Sequence, residues 1–494
     1  MFINGVYNEA ELKMIENWKT TAAKDVGWLD GTPSPTNDHP INLRKATREI
    51  IRHMALAHDY KNPLYRNEDY AKYSKYGKII APPFLTNCIA CGHAHFLEVP
   101  KDVGQFLGCH LGEDYVWYRT IVEDDSFTVF QGMPQMRDMT PAGEQQERVM
   151  GSFDPCYIYD QNGELIAEWW HILVTVYAGW DVERDNILRI GYELDMESAL
   201  KLGEGALWTP RPKYTQELAD TIQRLYEEEP RRGKEIRWWE DVEIGETLPP
   251  VYMGPISYWD CVAYMCTFVH PPINMMEGRR LTPQKMIKDP ETNITFYDFE
   301  FHLCEETPKL VGWYSHTIVD PFINSFLGRM TSNWMGDDGE FRRYKWRKFA
   351  NTTIGDSIIG RGRVIRKYIE DGECRVDIDV CMENIKGFLA NMGPTTISLP
   401  SKRKFLERLE PVTDSEETEL DLNPEGIKRG DCFRVKPRPD WELPYDYPLA
   451  GKTGYVYELP MDVEGFVYAI MDEDCTGIEH RAVVGFRMTD IEKI

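Results

Sequence analysis

The sequence predicts an α+β chain built from two tandem units, each a central helix wrapped by an antiparallel sheet, with a small β-barrel at the end. Three observations carry that expectation. The same order of segments occurs twice, matching turn signals separate the segments in both copies, and the pattern changes after residue 426 to short β-rich runs broken by Gly and Pro. A chain of 494 residues is too long for one ordinary core, which agrees with several units.

In the first copy, "IIAPPFLTNCIACGHAHF" reads as an apolar helix beginning near Pro83, with "YVWYRTIVEDDSFTVFQGM" and "CYIYDQNGELIAEWWHILVTVY" as strands after it. The second copy repeats this as "YSHTIVDPFINSFLGRMTSNW", a helix beginning near Thr317, then "YKWRKFANTTIGDSIIGRGRVIRKY" and "CRVDIDVCMENIKGFLANMGPTTISLP". Asp124-Asp125 and Gly355-Asp356 mark equivalent turns, and Asn162-Gly163 and Lys386-Gly387 mark equivalent hairpins. Pairing the two sheets edge to edge would hide their edge strands, so the copies are expected to form a dimer-like pair within one chain.

The first unit is assigned to residues 1–235 and the second to 236–402. Residues 403–426 include an acidic, Pro-containing stretch with few core candidates and read as a linker, and residues 427–494 form the barrel.

Composition narrows the function. A formal net charge of −25 opposes unaided binding to nucleic acid or to an anionic membrane, since both need clustered Lys and Arg. An anionic small molecule would need a local basic patch, for which "RRGKEIRWW" and "RRYKWRK" are the candidates. The first residues show neither a basic start with an apolar block nor a run long enough to cross a bilayer, and eleven cysteines at irregular spacing read as free thiols. A cytoplasmic protein is expected.

The stretch "HDYKNPLYRNEDYAKYSKYGKIIAPPF", with Asn62, Pro63, Tyr70, Ala71, Gly77 and Ala81 to Pro83, resembles the MaoC-like hydratase/dehydratase family. The likeness runs over roughly Asn42 to Ser401 and extends to "WYRTIVEDDSF" and "YDQNGELIAEWW". It implies a double hot-dog fold, in which the segment before the central helix overhangs the acyl-CoA site. It also implies a hydro-lyase that adds or removes water across the 2,3 double bond of an enoyl-CoA. A carboxylate and an imidazole would move the protons, and helix N-terminal amides would hold the thioester carbonyl.

The chain departs from the family pattern in its first half. Tyr65 stands where the catalytic histidine would be, and Asp59 lies one residue farther from it than the family's aspartate. A phenol is a poor base at neutral pH. The first half is therefore read as the binding half, with Asp59, Asn62, Tyr65, Pro82 and Pro83 around the substrate. In the second half His302 is the counterpart of the family's histidine, with Asp298, Glu300 and Asp320 competing as its acidic partner. His316 and Thr317 fall at the family's helix-start position, and the Thr317 amide is the implied oxyanion donor. A purely structural His302 is the alternative.

Arg279 and Arg280, in the "HPPINMMEGRR" loop with His270, are candidates to meet a phosphate. Cys88, Cys91, His93 and His95 resemble the start of a zinc site, but helical spacing spreads them over different faces, so no metal is expected. No nucleotide fingerprint occurs and no cofactor is expected. The last unit, with "RGDCFRVK" and "LAGKTGYV", resembles the SH3-like barrel of the nitrile hydratase β-subunit and reads as an assembly module. A homodimer or larger homo-oligomer is expected, and a hot-dog thioesterase or a non-catalytic acyl-CoA-binding scaffold are the rival functions.

Overall fold

The computed structural model describes residues 2–25, 43–90, 97, 106–140, 143, 147–178, 188–189, 192–193, 212–264, 276, 286–289, 291–297, 300, 302–304, 318, 320–350, 352–403, 417–459, 462–473 and 483–494.

In the first unit, helices α1 (Glu9–Asp25) and α2 (Arg48–His58) precede five strands: β1 (Phe106–Trp117), β2 (Thr128–Gln131), β3 (Gln135–Asp138), β4 (Glu147–Tyr159) and β5 (Leu165–Ala178). Helix α3 (Gln216–Glu227) leads into the second unit, with β6 (Thr247–Met253), α4 (Asp320–Met335), β7 (Glu340–Lys348), β8 (Ile358–Glu370), β9 (Glu373–Asn384) and β10 (Leu389–Ser398). The final unit holds β11 (Cys432–Val435), β12 (Thr453–Glu458), β13 (Phe466–Met471), β14 (Val483–Arg487) and β15 (Ile491–Lys493).

Among the described residues one antiparallel sheet runs through both units in the order β8-β9-β10-β7-β1-β5-β4-β2, with β6 added on β8 and β3 on β4. The expected edge-to-edge joint is the β1–β7 pair, where Glu113 lies opposite Trp346 and Tyr115 opposite Tyr344. Both joining strands carry Tyr-x-Trp, as Tyr115-Val116-Trp117 and Tyr344-Lys345-Trp346. Tyr115 facing Tyr344 therefore puts the local two-fold of the repeat between these tyrosines.

The expected turns are in place. Asp124, Gly163, Gly355 and Gly387 all have positive φ, the conformation that the Asp, Asn-Gly and Gly-Asp signals favour. The second helix, expected near Thr317, begins at Asp320 and spans 16 residues. It is buried on every side from Phe322 to Met335, as befits a helix wrapped by a sheet. In the first unit the chain enters its helix through a 3-10 turn, Pro83–Leu85, and continues helical over Thr86–Ile89. The rest of that expected helix, including Cys91, His93 and His95, lies outside the described residues. The two helices meet where Gly328 faces Phe84, since a Cβ on Gly328 would fall 2.3 Å from the Phe84 ring.

Within the expected linker, Thr418–Glu419 is a short strand that pairs with Arg366 and Lys367 on β8. The final unit is a five-stranded antiparallel sheet in the order β14-β13-β12-β11-β15, with a 3-10 turn at Met488–Asp490 before its last strand. It packs on the second unit's sheet. Val463 and Phe466 join Phe349, Cys381, Leu389 and Met392 in one buried cluster, and buried arginines tie the layers together. Arg487 Nε lies 2.9 Å from Asp379, and Arg361 lies 2.7 Å from Asp490 and 3.1 Å from Glu383.

Candidate active site

The overhanging segment is shaped by successive side-chain caps. Helix α2 starts at Thr47, whose hydroxyl accepts from Ile50 N, and buries Ile51, Met54, Ala55 and His58 at helical spacing. It ends at Asp59, after which the Asn62 side chain accepts from Leu64 N to cap the 3-10 turn Pro63–Tyr65, and Asn67 caps Glu68–Ala71. The "NPLYRNEDYA" motif is thus a chain of capped turns that fixes where Tyr65 points.

That point lies between the units. Tyr65 is buried, with the side chains of Asn62 and of Ser332 on α4 beside its phenol. Burial, and next the charge of Asp59, push the phenol well above its ordinary range. Asp59 is itself committed, ion-paired to Arg231 at the start of the second unit's approach and within 3.5 Å of Ser332 Oγ. Nearby, Tyr70 donates to Asp337 at 2.6 Å, and Arg329 meets Glu229 at 3.1 Å with both side chains buried. The first-half segment therefore rests on the second half's helix.

His58 sits beside this cluster but faces away, edge-on to Tyr264 at 4.7 Å between ring centres. Burial, reinforced by Arg329, lowers its pKa to about 3, so the ring is neutral at any working pH. A cleft of about 40 Å³ lies alongside, lined by Tyr65, Tyr76, Pro83, Trp117, Met335 and Phe341 among others. That is the room of a water or two, far below the several hundred Å³ of an ordinary ligand pocket.

The structure brings Asp59, Asn62 and Tyr65 into one cluster and places Pro83, with Pro82 buried beside it, on the adjoining cleft. His302 is buried in a short turn after the hairpin Met286–Lys288/Thr295–Tyr297, and Leu303 N and Cys304 N both donate to Glu300 O there. Asp320 opens α4. Asp298, His316, Thr317, His270, Arg279 and Arg280, and the side chain of Asp320, lie outside the described residues.

The arginines of the two basic stretches are drawn into ion pairs. Arg231 is held by Asp59, Arg232 by Glu235 and Trp334 O, and Arg237 by Glu246. In the other stretch, Arg342 pairs with Glu340 and Glu373, Arg343 with Glu370, and Arg347 with Asp114 and Asp462. A chain with 81 acidic and 56 basic residues supplies carboxylates to these arginines, and Arg232 and Arg237 also line a cleft of about 630 Å³ with Glu235, Ile236, Trp238 and Asp241.

A second polar group, which the sequence did not single out, lies under the joint. Glu113 is 1% exposed, and its Oε2 accepts from the Tyr115 hydroxyl, from Asn324 Nδ2 on α4 and from Trp346 Nε1. The Tyr115 hydroxyl also lies 2.6 Å from the Asn87 side-chain amide. One carboxylate thus gathers side chains from both units and from the second central helix, with the first helix reached through Tyr115.

Residues 43–168 match the family model described as "FAS1-like, dehydratase domain region". No curated protein matches the chain. Among solved structures it is similar to a MaoC-like dehydratase (18% identity, 75% of this chain and 98% of that one, TM-score 0.46). It is also similar to a putative MaoC domain protein dehydratase from Chloroflexus aurantiacus (11%, 73% and 93%, 0.41). A third is Rv0216 from Mycobacterium tuberculosis, described as a double hotdog fold (10%, 72% and 93%, 0.41). No helix among the described residues is long and apolar enough to cross a membrane.

Proposed function

From a dehydratase-region match lying within a paired, helix-wrapping sheet, we propose that this chain is a hydro-lyase acting on the 2,3 double bond of an acyl-CoA thioester. The match over residues 43–168 is the observation that carries the reading. Chemistry is assigned to the second half. The first half has its phenol buried and its carboxylate ion-paired to Arg231, so neither group is poised to take a proton from water. In this reading His302 removes or returns the proton of the attacking water. Asp298 or Asp320 assists it, His316 stands in reserve, and the Thr317 amide steadies the enolate-like oxygen. Arg279 and Arg280 would meet the phosphates of the coenzyme.

The same proposal divides the chain at residues 235/236, 402/403 and 426/427 and takes the last unit as an SH3-like assembly barrel. Support for the barrel is its strand order, with the fifth strand beside the first and a 3-10 turn between the last two strands. Two outcomes check the reading. With crotonyl-CoA, the enoyl absorbance is expected to fall without release of free thiol. Thiol release would make the protein a thioesterase, and neither signal would favour a scaffold. Light scattering on the pure protein is expected to give at least twice the 57.5 kDa of one chain, and a monomer at micromolar concentration would remove the assembly part.

A further inference from the structure

Two histidines stand beside Glu113, and the reason they do so is a single extra residue. Along β1, His110 pairs with Leu173 of β5 and Gly112 with Ile172, so Leu111 is a bulge. In an unbroken strand residues three apart face opposite sides, and one inserted residue turns His110 and Glu113 to the same side. His171 lies directly across from Glu113 on β5 and shares that face. As a result one ring nitrogen of each histidine and one oxygen of Glu113 lie within 4.8 Å of one another. His110 Nε2 is 3.6 Å from Glu113 Oε1, and the two imidazole centres are 4.4 Å apart.

We propose that His110, Glu113 and His171 bind one divalent metal ion, zinc by the nature of the donors. Two imidazoles and a carboxylate form a common donor set for a four-coordinate first-row ion, with the fourth position left for water or a ligand. Around zinc such atoms sit about 3.3 Å apart at bond lengths of about 2.0–2.1 Å, so closing the site takes side-chain rotations that also exchange the 3.0 Å contact of His110 Nε2 with Gly112 O for the metal.

The surroundings hold the donors. The three donors on Oε2 fix the carboxylate and turn Oε1 towards His110. Trp346 meets the His110 ring edge-on at 5.2 Å, and Trp169 stacks on His171 at 5.3 Å. Fixing ligands from outside in this way is what gives a metal site its geometry. Glu113 is deeply buried while both histidines are partly exposed, so an ion would reach the site from the histidine side. A cation here also compensates a carboxylate taken out of water.

The test uses the full chain and zinc alone. In competition with a chromophoric chelator the protein is expected to take up one zinc per chain, and His110→Asn and His171→Asn are each expected to weaken binding at least 100-fold. The X-ray absorption spectrum of the zinc-loaded unsubstituted protein is expected to show nitrogen and oxygen neighbours only. Failure to bind zinc overturns the proposal, as does binding that both substitutions leave unchanged. Sulfur in the zinc shell would move the ion to cysteines and overturn it equally, and this holds even if the variants fold poorly.

Discussion

Replacing His302 with alanine is expected to lower the rate of enoyl-CoA hydration by about 100- to 10,000-fold, the usual contribution of a positioned acid or base. The imidazole is buried in the turn after the Met286–Lys288 hairpin, so truncation removes the proton carrier and leaves a small cavity. Melting temperature must therefore be read beside the rate. Tyr65→Phe is expected to change the rate far less. It removes a buried hydroxyl beside Asn62 and Ser332, at a cost of about 1 kcal/mol in stability. A dead Tyr65→Phe with an active His302→Ala would reverse the roles of the halves and move the site to Asp59, Asn62 and Tyr65. If both remain active, His316 and Asp320 become the next pair to change.

The Gly112→Ala change is expected to destabilise the protein by about 3 kcal/mol or more, seen as a clear fall in melting temperature. An added Cβ would lie 2.1 Å from Trp346 O, a backbone atom in the strand that joins the two units. That carbonyl also accepts Arg347 Nη1 at 2.7 Å, so it has no direction in which to yield. Gly163→Ala is the control. Gly163 has φ +79° but faces open space, and the change should cost about 1 kcal/mol from backbone strain alone. Equal losses at the two positions would show that the joint tolerates movement.

The fold was legible where a residue type forces a local conformation. Asn162-Gly163 and Lys386-Gly387 turn the chain because Gly accepts positive φ, and the repeated Tyr-x-Trp strands needed only their β-rich pattern. What escaped notice depended on distance along the chain. Asp59 and Arg231 are 172 residues apart, and each looked available until the fold joined them. The ion pairs of the basic stretches were hidden for the same reason, since a run of Arg says nothing about which carboxylates will come to meet it. The His110, Glu113 and His171 group was hidden by a bulge. At their sequence spacing His110 and Glu113 belong on opposite faces, and no residue type announces the extra Leu111.

The buried arginines between the second sheet and the final unit mean that the two repeats are no longer exchangeable parts. The second copy is clad on its outer face: Phe349, Leu389 and Met392 are covered by Val463 and Phe466, and Asp379 and Glu383 take their counter-ions from Arg487 and Arg438. A chain stopped at residue 426 would bare those apolar side chains and leave Asp379 and Glu383 only the arginines of their own sheet, Arg363 and Arg361. For anyone dissecting the protein, the smallest fragment that preserves the second repeat is one that carries its tail, and a shuffled order of the halves would have to move that cladding with it.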